Sequence, residues 1–184
     1  MMTSFEAEWA QKSGREQVEE FCRMIEQFDR GLRGLAYRLL GDRDQMDDAL
    51  QETYLKAFRS LDSFSGRAPF GAWLYRIAYN VCMDQLRRRS RTMHLPLNEE
   101  IAQVSNQPDP SDTAAEKHDL AQALASLPAE QRAIVLLIDA QDMDYREASL
   151  VLGIPRGTVG SRLSRARSAL RTALESRMQA RDGR

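Results

Sequence analysis

The chain holds little of what chemical sites are usually made from. In 184 residues there are two cysteines, Cys22 and Cys82, and two histidines, His94 and His118. Neither cysteine has a CxxC neighbour and neither histidine has a ligand-spaced partner, so no disulfide framework or zinc site is indicated and both thiols read as core residues. No glycine-rich phosphate loop follows a strand, and no convincing strand pattern exists at all. Gly66, Gly153, Gly157 and Gly160 read as turn or close-packing glycines. No apolar run approaches the roughly 20 residues of a membrane span. The N-terminus carries Glu6 and Glu8 rather than a basic, apolar leader, so no signal peptide is read and a cytoplasmic location is expected. Without a nucleophile and base, a metal set or a cofactor cradle, the expectation is a protein that is not an enzyme and binds no cofactor or metal.

Net charge is also nearly absent, with 27 acidic against 26 basic residues. The charges are nevertheless segregated. Arg67 to Arg91 and the last helix are basic, while Asp42 to Asp62 and Asp109 to Asp119 lean acidic. That division suggests separate surfaces for an anionic polymer and for a protein partner.

What is present is helical periodicity. Asp144 with Glu147 forms a capping-box pair, opening a helix with Tyr145, Ala148 and Leu152 inward, and Gly153 ends it. Pro155 suits the first turn of a second helix. There Val159, Leu163, Ala166, Leu170 and Leu174 form one buried stripe, and Arg156, Arg162, Arg165, Arg167 and Arg171 face solvent with Thr158, Ser161 and Ser164 among them. A short helix, a turn and an arginine-rich helix make a helix-turn-helix able to enter a DNA major groove. An amphipathic hairpin with a solvated basic face shares the pattern.

Earlier in the chain, residues Met1 to Gly14 read as a loose lead-in. From Val18, the residues Phe21, Ile25, Phe28, Leu32, Leu35 and Leu39 trace a long helix that Gly41 stops. Asp42 with Gln45 opens another, with Met46, Ala49, Leu50, Thr53, Ala57 and Phe58 inward. Its outer side gathers Asp44, Asp48, Gln51 and Leu55, flanked by Asp47, Glu52 and Tyr54. Acidic residues in a first turn complement the helix dipole, but Gln51 and Leu55 lie beyond that turn and suit a docking face equally well. After a loop holding an inward Phe64, a third helix carries Phe70, Leu74, Ile77 and Val81 on one side. Arg76, Tyr79, Asn80, Met83 and Arg87 lie on another, and Arg87, Arg88, Arg89 and Arg91 end it. Trp73 and Tyr75 fit either base stacking or core packing. Residues 92–113 lose periodicity and gain three prolines, Pro96, Pro108 and Pro110, as a linker does. A helix from Ala114 and the compact apolar helix AEQRAIVLLIDA precede the helix-turn-helix, and residues after Glu175 are expected to fray.

Three stretches resemble one family. DDALQETYLKAFRSLDSF, PFGAWLYRIAYNVCMDQLRRR and LPAEQRAIVLLIDAQDMDYREASLVLGIPRGTVGSRLSRARSAL are similar to the second region, the promoter-melting helix and the fourth region of extracytoplasmic-function bacterial RNA polymerase sigma factors. The resemblance implies an all-α chain of two small helical domains, 15–91 and 114–176, joined by a flexible linker over 92–113. It implies that Asp47, Asp48, Gln51, Glu52 and Leu55 meet the clamp helices of the largest subunit of core RNA polymerase. Phe64, Arg67, Arg76, Asn80, Asp84, Arg87 and Arg88 would meet the minus-ten strand, and Arg156, Thr158, Ser161, Arg162 and Arg165 the minus-thirty-five element of promoter DNA. It also implies contact with the polymerase flap and an anti-sigma factor. Ala49 departs from the family by standing where a larger aliphatic is frequent. The competing reading from the residues is a stand-alone helix-turn-helix regulator of duplex DNA.

Overall fold

Helices alone make up the described part of the structure, a computed structural model covering residues 14–93 and 112–182. The expected lead-in up to residue 13 and the linker residues 94–111, with Leu95, Leu97, Ile101, Val104 and the three prolines, lie outside the described residues.

Helix α1 spans Gly14–Leu40 and buries Phe21, Leu32, Leu35 and Leu39 along the expected seam. Val18, the expected first member, is exposed instead. The reason is the length of the neighbouring helix: α2, Arg43–Ser60, ends two residues beyond Phe58, whose ring meets Phe21 at 5.3 Å, so α1 overhangs it. Between the two, Gly41 takes φ 77°, a left-handed conformation that costs glycine least. The Asp42 carboxylate then accepts the Gln45 N–H at 2.8 Å and caps α2. The Gln45 side-chain oxygen, expected to return that bond, accepts from Arg89 at 3.5 Å. Inside α2, Ala49, Leu50, Thr53 and Ala57 are buried as expected, the Thr53 hydroxyl donating to the Ala49 carbonyl at 2.6 Å.

A 3-10 turn at Leu61–Ser63 leads into the loop before α3, Phe70–Met93. The Pro69 carbonyl takes the Trp73 N–H and starts this helix. Burial on α3 is wider than one stripe: Ala72, Leu74, Tyr75, Ala78, Val81, Cys82, Met83 and Leu86 are all buried. Met83, expected on the outer side with Arg76 and Asn80, is therefore a core residue, because α3 is packed by α1 and α2 and by the second half of the chain as well.

That second half begins at α4, Asp112–Ala125, two residues ahead of the expected Ala114. The expected single helix AEQRAIVLLIDA is α5, Ala129–Val135, followed by a π-helical turn, Leu136–Ala140. Helix α6, Tyr145–Leu152, and helix α7, Arg156–Asp182, complete the chain. The residues after Glu175 continue α7 to Asp182 rather than fraying at once.

At the centre of this half lies Arg132, only 1% exposed. Its Nη2 donates to the Ala125 and Leu127 carbonyls, both at 2.9 Å, at the end of α4. Its Nη1 crosses to α1 and donates to the carbonyls of Arg38 and Leu39 at 3.0 and 3.2 Å. Each helix end leaves carbonyls unpaired and carries partial negative charge, so one cation serves two helices. Burial pushes its pKa down to about 10, which leaves the guanidinium charged at neutral pH. The two halves thus rest on one another and share one apolar cluster, with α6 lying on α3.

Candidate nucleic-acid and partner-binding surfaces

The expected partner face on α2 forms as spaced. Asp48, Gln51 and Leu55 are exposed on the side away from Ala49 and Leu50, and Leu55 is 49% exposed, a large aliphatic that no core contact requires. Two expected members are tied into ion pairs. Glu52 accepts from Lys56 at 2.6 Å, and Asp47 from Arg33 Nη1 at 3.0 Å. Arg33 Nε also donates to Asp29 at 2.9 Å, and the Tyr54 hydroxyl donates to the other Asp29 oxygen at 2.6 Å. Partial burial works to raise the pKa of Asp29, yet its Tyr54 and Arg33 hydrogen bonds hold it below the ordinary value. This chain across α1 and α2 fixes one edge of the face. Its two pairs that cross between helices, Arg33 with Asp47 and Tyr54 with Asp29, are too far apart in sequence for helical spacing to reveal them.

On α3 the charged residues separate from the rings. Arg76, Asn80, Arg87 and Arg88 are exposed, and Asp84 is half-buried, with its carboxylate on Arg87 at 2.7 Å. That hydrogen bond holds the Asp84 pKa down. Tyr75 is core, 4% exposed, with its hydroxyl pKa pushed up to about 12 by burial. Trp73 is half-buried in a ring cluster, 4.9 Å from Phe64 and 5.4 Å from Phe70 between centroids. Of the alternatives for these two rings, Tyr75 takes core packing, and Trp73 packs while keeping an open edge. Phe64 is inward as expected, and Arg67 stands exposed in the loop beside it, with Gly66 at φ 65°.

The helix-turn-helix follows from its local chemistry. The Asp144 carboxylate accepts from the N–H groups of Arg146 and Glu147 at 2.7 and 2.8 Å, and Glu147 returns a bond to the Asp144 N–H at 3.2 Å. The Glu147 N–H above all, joined by that of Arg146, keeps the Asp144 carboxyl below its usual range against the opposing effect of desolvation. Gly153 takes φ 65° and closes α6, its N–H bonding the Ser149 carbonyl. Tyr145, expected inward, is exposed and lies against Gly160, while Val151 fills the inner position with Ala148. On α7, Val159, Leu163 and Ala166 are buried, and Leu170 and Leu174 are half-buried where the helix runs past its neighbours. Arg156, Ser161, Arg162 and Arg165 are exposed and Thr158 half-exposed, on one basic surface. Gly157, expected as a turn or close-packing glycine, lies at the start of α7 and has nothing within 4 Å of where a Cβ would stand.

Three acidic or hydroxyl neighbours of these groups escaped the sequence. Glu130 on α5 pairs with Arg162 at 3.5 Å, and both Asp139 oxygens bind Arg167. Tyr79 on α3 lies within electrostatic reach of Glu130 and Arg162. Arg132 directly precedes the run AIVLL, but nothing in that spacing points to its acceptors. Among the described residues no cluster of side chains is suited to a metal ion, and no helix is long and apolar enough to cross a membrane.

Comparison with known proteins gives these surfaces a family. Residues 24–92 match the model of Sigma-70 region 2, and residues 117–170 that of Sigma-70, region 4. The ECF RNA polymerase sigma factor SigM of Mycobacterium tuberculosis is 36% identical over 150 residues, covering 82% of this chain and 74% of the relative. SigE of Mycolicibacterium smegmatis is 39% identical over 144 residues, covering 76% of this chain but 56% of the relative, so the chain spans little more than half of that protein. Among solved structures, the sigma factor RpoE in complex with the anti-sigma factor NepR from Bartonella quintana superposes with a TM-score of 0.72 at 31% identity, over 85% of this chain and 98% of that one. CnrH in complex with the cytosolic domain of CnrY gives 0.66 at 26% identity, over 94% and 96%. Two regions in this order, with relatives that span both, settle the kinship: the chain belongs to the extracytoplasmic-function group of the sigma-70 family of RNA polymerase sigma factors.

Proposed function

We propose that this chain is an alternative sigma factor whose two working units, 15–91 and 114–176, grip core polymerase and one promoter at separate places, joined by residues 92–113. The observation that carries this reading is the separation of two exposed surfaces, one acidic and apolar on α2, the other basic on α3 and α7. Asp47, Asp48, Gln51, Glu52 and Leu55 dock on the clamp helices of the largest subunit, with Leu55 as the apolar centre of a polar rim. Arg76, Asn80, Asp84, Arg87 and Arg88, with Phe64 and Arg67 of the loop, receive the minus-ten strand. Unstacking a flipped base costs a few kcal/mol, and stacking beside the Phe64, Phe70 and Trp73 rings offsets it, so binding energy alone melts the DNA. Arg156, Thr158, Ser161, Arg162 and Arg165 read and clamp the minus-thirty-five duplex from α7, phosphate contacts setting position and base contacts sequence. The second unit also touches the polymerase flap. The chain works in the cytoplasm as an initiation factor with no reaction of its own, and an anti-sigma factor restrains it, as the partners of RpoE and CnrH suggest.

The test is Asp48→Arg with Gln51→Ala. Co-purification with core polymerase should fall at least tenfold while the helical circular-dichroism signal stays at the wild-type value. Undiminished co-purification would remove the α2 face from the polymerase interface.

A further inference from the structure

Two acidic residues stand on opposite sides of α7, and they hold their arginines differently. Glu130 of α5 meets Arg162 at 3.5 Å through a single nitrogen. Asp139, in the π-helical turn after α5, takes Arg167 with both oxygens, Nε donating to one at 3.1 Å and Nη2 to the other. A guanidinium carries five N–H groups in one plane, so a carboxylate on the Nε and Nη2 edge fixes that plane and leaves the remaining N–H groups for another acceptor. The Arg167 side chain keeps 52% of its surface exposed, so that acceptor can come from outside.

At about 100° per residue, positions 162 and 167 lie about 140° apart around the helix. Leu163 and Ala166 are buried between them, and Ser161 and Ser168 are exposed about midway on the far side. The two arginines therefore flank the outward edge of α7 on either side. A major groove is about 12 Å wide, and a helix with its side chains is about 10–12 Å across. A helix seated there on Ser161 and Ser168 turns its two flanks toward two different backbones. Tyr145 joins the Arg167 flank, because residue 160 is seven positions before 167 and so on nearly the same side. A Cβ on Gly160 would stand 3.4 Å from the Tyr145 ring, which is exposed and within electrostatic reach of Arg167.

We propose that Arg167 and Tyr145 bind phosphates of the DNA strand opposite the one met by Arg162, and that Asp139 is the positioning residue that aims Arg167 at its phosphate. The proposal rests on the reading of α7 as the helix that enters duplex DNA and adds a second strand to its contacts. Arg167 then bridges a carboxylate and a phosphate, each taken in the fork geometry that suits a guanidinium. Tyr145 rests its ring on Gly160 and gives its hydroxyl to the same strand, which accounts for an aromatic that the core does not hold. With both backbones held, the helix cannot roll in the groove, and what Ser161 and Arg165 present to the base edges is fixed.

The test maps phosphates one at a time. The full chain, with core polymerase and without it, selects a duplex from a random-sequence library, and methylphosphonates then replace single phosphates along both strands. Wild-type binding should weaken at positions on each strand. Arg162→Ala should abolish that sensitivity on one strand only and Arg167→Ala on the other only, each with an affinity loss of about tenfold and a salt slope shallower by about 1. Tyr145→Phe should lose about threefold, on the Arg167 strand. Asp139→Asn keeps the Arg167 charge, so its salt slope should not become shallower, while its preference for the selected duplex over a random one should fall about fivefold. Tighter binding of the selected duplex by Asp139→Asn would show a carboxylate that merely repels DNA and would overturn its positioning role. Exposed ion pairs contribute little to stability, so the variants should keep the wild-type circular-dichroism signal. Where Arg167→Ala does not, Arg167→Lys decides: it keeps the charge and loses the fork, so sensitivity should spread from one phosphate to its neighbours. Sensitivity lost on one and the same strand in Arg162→Ala and Arg167→Ala, a wild-type pattern in Arg167→Lys, or a chain that retains no duplex would overturn the second clamp. Contacts on both strands by a chain that starts no RNA with core polymerase would overturn the sigma-factor reading and leave the clamp standing.

Discussion

The two halves of the chain solve the problem of a small core differently. The first packs three helices of 18 residues or more through leucine seams and a ring cluster, and its charged pairs lie outside. The second has one helix of 27 residues but three of 14 or fewer, one of them only 7 residues long, and builds around a buried guanidinium that feeds four carbonyls. Long helices satisfy most of their own backbone and need only apolar faces. Short ones leave a larger share of N–H and C=O groups at their ends, so caps become the main structural requirement. The second half accordingly holds the Asp144 box, the Gly153 stop and Arg132 within a few turns. The proposed function extends the same division: the α2 face is exposed on a well-supported helix, and on α7 the Arg162 ion pair with Glu130 would have to give way before phosphate binds.

The sharpest way to break this contrast is Arg132→Leu. It leaves the carbonyls of Ala125, Leu127, Arg38 and Leu39 without their donor, and it should lower stability by about 4 kcal/mol, as loss of a buried charged donor does. Urea unfolding followed by circular dichroism measures it. A loss under about 1 kcal/mol would mean that apolar packing carries the second half as it carries the first.

That residue also marks where the sequence stops being legible. Periodicity located the α1 seam, the buried side of α2, the α7 stripe and the exposure of Asp48, Gln51, Leu55, Arg162 and Arg165, because side-chain direction repeats with the helix. The Asp144 and Glu147 box was legible because its partners are three residues apart. Arg132 was not, since its acceptors are backbone atoms up to 94 positions away. Met83 and Tyr145 were misplaced for a related reason: whether a helix is covered on one side or two depends on neighbours distant in the chain. The partners of Asp47 and Arg162 likewise come from other helices.

A smaller effect separates the two nucleic-acid surfaces. Arg162→Ala with Arg165→Ala should weaken binding to a minus-thirty-five duplex about tenfold or more at moderate salt. It should also make the slope of log affinity against log salt shallower by about 2, one for each lost phosphate contact. Binding of a minus-ten single strand by the holoenzyme should stay as it was, and parallel titrations of the two DNAs would show it. An unchanged slope would take both arginines off the phosphates.

The smallest change tests the caps alone. Asp144→Ala should lower the urea midpoint slightly, as loss of an N-cap does. Because the folded carboxyl has a depressed pKa, its contribution is present above the ordinary carboxylate range and fades as pH falls through the folded value. The wild type and the variant should therefore converge in stability only once the pH falls below the depressed folded value, which lies under the ordinary carboxylate value of about 4. A gap that persists in acid would assign the loss to something other than the carboxylate.

That two surfaces act on one promoter is tested most directly by run-off transcription, with the purified chain and core polymerase on a library of DNA from the parent genome and no inhibitor present. Discrete start sites should appear that core polymerase alone does not give, preceded by two shared sequence elements at fixed spacing. Absence of any start that depends on the chain would contradict the function proposed for both surfaces.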